Sequence, residues 1–444
     1  MAMKNFEKSD IIRDVAYNKN KARFLSRDEQ MQLNKVMKDK LMRFVTDMHS
    51  EDIRPRAMRL FDDMMNEMHG KRIKDLYAYR RAGSHVVTLL SNSIPPELVY
   101  AMGHFIPVSV CMGAGELEPY AGEETQEMCS LNRSMIGFLK TGMCVFFNLA
   151  DHVLASDLCP QIRKTSEIIR DYSDELEVYC MEIHKDDRGG VSVNVSDLLE
   201  WVNKVTEGRG IDLDKLLEYA ELFSEIRSTY KDILDFRKNL NPPLNGKNSI
   251  WIQQVALVEE PRKLLQSLQQ LYSELAQNVH QNKGYDPDQQ KKRVMLITPR
   301  NMPPFAELYR LVESYDALVV CEEIDMGITN IDYDFGILEE LVNDNAGDHY
   351  PEEVIQYITK SLDVNSTSCM AHFDEEKILR KVRDFQVDTV ILFAFYQCPV
   401  MQKKTKNIFN LLKVHEVPAL ELYANYLDVY EQEFFEKIRQ FLMH

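Results

Sequence analysis

Residues 153–164 read VLASDLCPQIRK, and residues 390–403 read VILFAFYQCPVMQK. Each stretch joins a short apolar run to the pattern C-P-x-x-x-K. Proline suits the first turn of a helix, because its missing N–H would be unpaired there in any case. Each stretch therefore predicts a β-strand followed by a helix whose N-cap is a cysteine, Cys159 in the first stretch and Cys398 in the second.

The two stretches belong to a longer duplication of cysteine positions. In each copy a Pro-Pro pair and a Glu-Leu pair precede three cysteines, and the last two cysteines are 30 positions apart in one copy and 29 in the other. The cysteines are Cys111, Cys129 and Cys159 in the first copy and Cys321, Cys369 and Cys398 in the second. A repeat that brings three thiols to matching places predicts two half-sites facing each other. The alternative is that they are small core residues.

Length and charge restrict the class of protein. A chain of 444 residues predicts two or three domains, and its net charge of -17, spread along the chain, argues against a nucleic-acid partner. Met1 to Asp10 is polar, without the apolar core of a signal peptide. Apolar runs such as 390–396 are far shorter than the roughly 20 residues that span a bilayer. We therefore expect a cytoplasmic protein with no membrane partner and with reduced thiols.

Alternation of β-rich runs with helical stretches predicts the fold class. We expect an α/β protein with two Rossmann-like parallel-sheet domains related by the internal repeat. Helical apolar spacing near the N-terminus predicts a helical cap, and a charged, strand-poor stretch predicts a helical insertion between the sheets. The cap, first cluster-binding domain, linker domain and second cluster-binding domain are predicted at residues 1–78, 79–190, 191–290 and 291–444.

The predicted strands place four cysteines at the carboxyl-terminal edges of the two sheets. Strands are predicted at residues 85–90, 106–110, 153–155, 176–183, 293–297, 317–320, 390–395 and 417–421. Cysteines then stand at the carboxyl ends of four strands, where open parallel sheets bind ligands, and these are Cys111, Cys159, Cys321 and Cys398. A helix N-terminus lowers a thiol pKa and favours the ligating thiolate. Lys164 and Lys403 either add positive charge there or are exposed helix lysines.

The donor set indicates which metal fits. Structural zinc usually shows close C-x2-C pairs, and the sequence has none. Six thiolates from distant loops suit iron–sulfur chemistry better, because one cluster is large enough to tie separate domains together. Cys180, inside a strand, is predicted to be a core residue. Glu322, Glu323 and Asp325, just after Cys321, either tune or ligate a metal or form a solvated acidic turn, and the turn is the favoured interpretation.

Residues 83–185 and 241–430 resemble the 2-hydroxyacyl-CoA dehydratase and benzoyl-CoA reductase family of anaerobic iron–sulfur enzymes. The matching features are 94–98 before Cys111, Cys129 followed by 133–137, Cys159 with Lys164, and Cys398 before the Pro418 strand. The resemblance implies that one 4Fe-4S cluster is held by Cys129, Cys159 and Cys398. The extra cysteines, Cys111, Cys321 and Cys369, resemble those of the double-cubane branch, in which two linked 4Fe-4S units share a bridging sulfide. That branch is the closer match. Cys144 lies near the family's cysteine-bearing stretch, and the resemblance makes it an alternative for one of the six ligands.

The resemblance also implies function. The leading hypothesis is an iron–sulfur reductase that takes low-potential electrons from an ATP-hydrolysing iron–sulfur activator protein and reduces a small substrate at the double cubane. The chain has no G-x-x-x-x-G-K-[ST] motif, so a Walker-type nucleotide site is expected on the partner. We also expect a homodimer or a heterodimer with a related subunit.

Two other functions remain open from sequence. One is radical dehydration of an (R)-2-hydroxyacyl-CoA at a single 4Fe-4S cluster, for which Glu97 resembles a family position that could serve as a catalytic base. The other interpretation of Glu97 is charge complementarity at a helix N-terminus. The remaining function is a non-enzymatic electron store or scaffold.

Overall fold

The structure is a computed structural model, and it describes residues 25–90, 94–110, 113–157, 159–173, 176–185, 191–299, 306–324, 334–344, 350–360 and 374–443. Two of the predicted ligands, Cys111 and Cys369, lie outside the described residues. The same holds for the second Pro-Pro pair, Pro303 and Pro304, and for Asp325.

Two four-stranded parallel sheets dominate the fold. The strands of the first sheet are β1 (His85–Leu89), β2 (Phe105–Ser109), β3 (His152–Ser156) and β4 (Glu177–Met181). A hairpin follows, β5 (Ile183–Lys185) and β6 (Val191–Val193). The strands of the second sheet are β7 (Lys292–Thr298), β8 (Ala317–Ile324), β9 (Thr389–Ala394) and β10 (Ala419–Tyr423). The orders are β2-β1-β3-β4 and β10-β9-β7-β8, so each sheet has its second, first, third and fourth strands side by side. The repeat is therefore a repeat of topology, as predicted.

Helices cover the sheets and fill the segments before and between them. In chain order they are α1 (Arg27–His49), α2 (Met58–Met65), α3 (Gly70–Arg81), α4 (Pro96–Tyr100), α5 (Ser130–Thr141), α6 (Val145–Leu149), α7 (Pro160–Tyr172), α8 (Val195–Val205), α9 (Leu213–Asp235), α10 (Gly246–Ala256), α11 (Pro261–His280), α12 (Glu307–Glu313), α13 (Phe335–Asp344), α14 (Tyr350–Lys360), α15 (Glu375–Asp384), α16 (Pro399–Val414) and α17 (Gln432–Met443). Within the described part of the chain, none is both long and apolar enough to cross a membrane.

The N-terminal helices pack onto the sheet domains rather than standing apart. Helix α1 starts with a capping box, in which the side chains of Ser26 and Glu29 each bond the other's backbone N–H. Phe44 of α1 and Phe61 of α2 are buried in the same continuous core as Val86 of β1 and Leu296 of β7. The predicted helical cap is therefore an integral part of the core.

Successive residues of β1 face opposite sides of the sheet, as a strand requires. Val86 lies in the main core, whereas Val87 lies in a second core with Trp201 of α8 and Leu338 of α13. Helices α13 and α14 thus pack near α8 and α9, although they follow a strand of the second sheet in sequence. Both helices were missed by the sequence analysis.

Two strand predictions differ from the structure by more than a shift of one or two residues at the strand ends. The run at 176–183 divides into β4 and the hairpin strand β5, which pairs antiparallel with β6. The strand predicted to end at Cys321 continues to Ile324, and its register with β7 shifts between Val294 and Met295. Cys321 therefore pairs with Met295 inside β8 and does not stand at the carboxyl end of the strand.

Candidate functional site

Three cysteines occupy the N-cap positions of helices. Cys129 precedes α5, Cys159 precedes α7 and Cys398 precedes α16. Pro160 and Pro399 occupy the first helical positions. A helix N-terminus presents unpaired N–H groups and the positive end of the dipole, which favours negative charge on a sulfur placed there. At Cys129 burial outweighs this effect and raises the pKa of the thiol. The predicted N-cap positions of Cys159 and Cys398 are confirmed, although neither side chain makes a capping hydrogen bond.

These three cysteines converge although they come from two sheets. Burial raises the pKa of Cys129 to about 12, and the neighbouring thiols of Cys398 and Cys159 raise it as well. Such an effect requires proximity, because the interaction between charges falls with distance. Cys129 and Cys398 are only 4% and 3% exposed. The fold therefore gathers three thiols, two buried and that of Cys159 half-buried, into one site.

The side chain of Gln161 connects the three cysteine-bearing segments. Its amide oxygen accepts a hydrogen bond from the backbone N–H of Cys129 at 2.7 Å. Its amide nitrogen donates to the carbonyl of Gln397 at 2.8 Å. Since Gln161 is two residues after Cys159 and Gln397 directly precedes Cys398, one side chain links the two C-P helix starts to each other and to α5.

The sulfur of Cys129 has a hydrogen-bond donor of its own. Nδ2 of Asn132 lies 3.2 Å from that sulfur, and Oδ1 of Asn132 accepts from the hydroxyl of Thr165 at 2.8 Å. The hydrogen bond from Asn132 lowers the pKa of Cys129 against the larger effect of burial. The thiol is thus held in place by side chains of α5 and α7.

A second link to the other sheet lies beside Cys129. Ser130 donates from its hydroxyl to Oδ1 of Asn425, just beyond β10, at 3.0 Å. Glu118, in a 3₁₀ turn at 115–120, forms an ion pair with Arg133 at 3.2 Å. Burial raises the pKa of Glu118, although Ser130 and Arg133 oppose the effect. A buried acid therefore lies next to the residue that follows Cys129.

Gly137 explains part of the motif that follows Cys129. A Cβ atom at this position would lie 2.0 Å from the carbonyl oxygen of Leu117 in the 3₁₀ turn. Only glycine allows helix α5 to pack this closely against that backbone. The glycine thus fixes the position of the helix that begins after Cys129.

Cys321 lies in a different electrostatic environment. Burial raises its pKa to about 12, while Lys381 and Arg237 lower it and Glu322 and Glu323 raise it. Glu322 and Glu323 are not a solvated turn as predicted, since they belong to β8 and form ion pairs with Arg237 and Lys381 respectively. Arg237 also donates to the carbonyl of Val320 at 2.8 Å. Arg237 is buried and Lys381 is half-buried, and these two cations neutralise the acids and allow the strand to continue.

Glu97 is fully buried and paired. Its Oε1 accepts a hydrogen bond from Arg227 of α9 at 2.6 Å, and the arginine side chain is 6% exposed. The pair joins α4, which follows β1, to the helical segment between the sheets. No observation tests its predicted role as a catalytic base, which remains a prediction.

Among the described residues, the other lysines and cysteines singled out from sequence are exposed or half-buried. Lys164 and Lys403 are exposed, and Lys164 donates to the carbonyl of Glu124 at 3.2 Å. The interpretation as exposed helix lysines therefore holds. Cys144 precedes α6, and Cys180 lies in β4; both are half-buried against the main core.

Thiolates of three cysteines are the donors that iron–sulfur clusters use. Among the residues that the structure describes, no three His, Cys, Asp or Glu side chains lie close enough together to hold a single metal ion. A zinc ion needs thiolate sulfurs about 2.3 Å away, whereas a cubane is larger and its ligands stand farther apart. Soft thiols at helix N-termini, with an N–H donor to one sulfur, fit such a cluster.

Fold and site together define an α/β protein of two matching parallel sheets with a three-thiol site between them. The chain matches the family 2-hydroxyglutaryl-CoA dehydratase, D-component, over residues 92–442, and it belongs to that family. No curated protein sequence matches it. Members of the family are known for iron–sulfur clusters and generally act with an activator partner.

Sequence reasoning missed the residues that position Cys129. Asn132 occupies the third helical position after its N-cap, the place from which a capping-box side chain reaches back. A polar residue three positions after a predicted N-cap is visible in the sequence, so this spacing could have indicated the contact with Cys129. Gln161 lies inside the C-P-x-x-x-K pattern, but its partner Gln397 is 236 positions away, and nothing local points to it.

Proposed function

We propose that this chain is the iron–sulfur component of a dehydratase-family enzyme, with a 4Fe-4S cluster held by Cys129, Cys159 and Cys398. The observation that carries the proposal is the convergence of these three helix-capping thiols from both sheets. Cys129 and Cys159 come from the proposed first cluster-binding domain, 79–190, and Cys398 from the second, 291–444.

The surroundings of the thiols favour an anionic group. Three helix N-termini point their positive ends toward the site. Asn132 adds an N–H donor to the sulfur of Cys129. When bound, such a cluster supplies one-electron chemistry, and three protein ligands leave its fourth iron open to an exogenous ligand. The protein's own contribution is to exclude water and to hold the thiols in fixed positions.

Electrons are proposed to come from an ATP-hydrolysing activator protein. Family membership supports this, because family members generally act with an activator. The absence of a Walker motif from the 444-residue sequence is in keeping with a nucleotide site on the partner. We further propose that the reaction is dehydration of an (R)-2-hydroxyacyl-CoA, the chemistry in the family's description.

A second candidate is reduction of a small substrate at a double-cubane cluster that also uses Cys111, Cys321 and Cys369. One observation favours it. Cys321 is buried beside Arg237 and Lys381, and these cations would offset the negative charge of a second cluster. Cys321 lies inside β8, however, and not at the carboxyl end of the strand where a ligand is expected. This position favours the single-cluster proposal.

Metal analysis distinguishes the candidates. Protein purified without oxygen is expected to contain about four irons and an equal amount of acid-labile sulfide per chain for one cubane, and about eight for two. The expected result is about four, with loss of iron in Cys129→Ser, Cys159→Ser and Cys398→Ser and retention in Cys321→Ser. Cys180→Ser is the matched control. A preparation that holds only zinc would contradict both candidates.

Turnover assays then separate enzyme from electron store. Protein with an activator, ATP and a reductant is expected to dehydrate (R)-2-hydroxyacyl-CoA substrates. Reduction of a small substrate without dehydration would favour the double-cubane reductase. Cluster reduction with no turnover of either substrate class would favour the scaffold or electron store.

A further inference from the structure

The three cysteines of the site are followed, three positions later, by residues of different polarity. After Cys129 this residue is the polar Asn132, whereas Ile162 follows Cys159 and Met401 follows Cys398. Asn132 is 1% exposed and donates from Nδ2 to the Cys129 sulfur at 3.2 Å. The site is therefore asymmetric in its hydrogen bonding from this helical position.

Thr165 fixes the orientation of the Asn132 amide. Its hydroxyl oxygen, fully buried, lies 2.8 Å from Oδ1 of Asn132 and 2.8 Å from the carbonyl oxygen of Gln161. The single hydroxyl proton is donated to one of these acceptors at a time. An iron-bound thiolate has no proton to donate, so Asn132 must turn an N–H toward the sulfur. Its Oδ1 then faces Thr165, which becomes the donor.

We infer that Asn132, oriented by Thr165, sets the reduction potential of the cluster through Cys129. The inference rests on the proposed function. Reduction adds negative charge to a cluster, and an N–H donor to a ligating sulfur stabilises that charge, which raises the potential. Asn132 is thus a positioning residue that makes the cluster easier for the activator to reduce. Thr165 acts through Asn132 and comes from the helix that Cys159 caps.

The test is an EPR-monitored redox titration of anaerobically purified full-length protein. Asn132→Leu removes the N–H donor and keeps a similar volume, so the midpoint potential is expected to fall while the iron content stays the same. Thr165→Val removes the hydroxyl that orients Asn132 and is expected to lower the potential by a smaller amount. Thr165→Ser keeps the hydroxyl and is expected to match the wild type.

The outcomes decide between the two proposals. An iron-loaded Asn132→Leu protein with the wild-type potential overturns the inference and leaves the proposed function intact. If Asn132→Leu binds no iron, the Thr165 pair decides: a lower potential in Thr165→Val alone supports the inference, and equal potentials in Thr165→Val and Thr165→Ser overturn it. A wild-type protein without iron overturns both proposals.

Discussion

The amide oxygen of Gln161 accepts the backbone N–H of Cys129 at 2.7 Å. The same side chain donates to the carbonyl of Gln397 at 2.8 Å. Because these partners belong to segments built on different sheets, one amide fixes the distance between the two halves of the thiol site. A cluster tied to both halves requires that distance to be constant.

Gln161→Leu is expected to loosen the site. The substitution leaves a backbone N–H and a carbonyl without their partner, and each such loss costs about 1–3 kcal/mol. We expect a lower midpoint of chemical unfolding and faster loss of iron to a chelator. Gln161→Glu, which keeps the acceptor but places a carboxylate oxygen against the carbonyl of Gln397, should also lose iron faster.

The matched control is Gln269→Leu. Gln269 donates to Glu225 at 2.7 Å on an exposed surface, and exposed substitutions usually change stability by less than about 0.5 kcal/mol. If Gln161→Leu kept iron as firmly as Gln269→Leu, Gln161 would not hold the halves together.

The ion pair of Glu97 with Arg227 gives a test of the role of Glu97. Glu97→Gln leaves a buried guanidinium without its counter-charge, which typically costs about 3–5 kcal/mol. Replacing both partners, as in Glu97→Leu with Arg227→Met, removes the stranded charge and is expected to recover much of that loss. Urea unfolding of the single and double variants measures both effects.

Activity distinguishes structure from catalysis at the same position. If Glu97 only joins α4 to α9, the double variant should fold, bind iron and turn over substrate with the activator. A double variant that is stable and iron-loaded but inactive would instead support the base role of Glu97.

The parallel strands were predictable because each is an apolar, β-rich run bounded by polar or turn residues. Strand β9 was predicted at 390–395 and lies at Thr389–Ala394, a difference of one residue at each end. Local signals also predicted the helices capped by Cys159 and Cys398, since proline in the first turn has a local cause.

Long-range pairing could not be predicted from sequence. The neighbours of Glu322 in sequence predict a turn, but Arg237, 85 positions away, neutralises Glu322 inside β8. Arg227 is 130 positions from Glu97. Burial of a charge depends on a partner that only the folded chain brings near, so the polar part of the site was the least predictable.

Gly137→Ala is expected to disturb the site from a distance. The added methyl group would meet the carbonyl oxygen of Leu117, so helix α5 must shift, at a cost of about 1–3 kcal/mol for overpacking. Because Cys129 caps this helix, iron content should fall together with the unfolding midpoint. Gly336→Ala, in the exposed part of α13, is the control. Its methyl group would meet only the side chain of Asp334, at 3.2 Å, and alanine favours a helix more than glycine does, so iron content should be unchanged and the unfolding midpoint should not fall. Normal iron content in Gly137→Ala would contradict the close-packing argument.

Glu313 is expected to make stability depend on pH. Its carboxylate accepts the backbone N–H groups of Gly246 at 2.7 Å and Lys247 at 3.3 Å, where α10 begins. Burial raises the pKa of Glu313 from 4.5 to about 7, against the opposing charge of Lys247. The folded protein therefore holds this proton more tightly than the unfolded chain does. The stabilisation is complete below about pH 4.5 and is lost as the pH rises through about 7.

Glu313→Gln isolates this effect, because glutamine does not titrate. The pKa of Glu313 is 4.5 in its ordinary, unfolded environment and about 7 in the folded protein. The wild type therefore loses at most about 3 kcal/mol of folding free energy as the pH rises from 4.5 to above 7. Unfolding in urea at several pH values between 4.5 and 7.5 measures the difference in free energy of unfolding between wild type and variant. Glutamine turns an N–H donor toward one of the backbone N–H groups, so the variant should be less stable than the wild type at low pH. Because only the wild type loses stability as the pH rises, the difference in free energy of unfolding should narrow. A gap that stays constant across this range would show that Glu313 does not titrate within it.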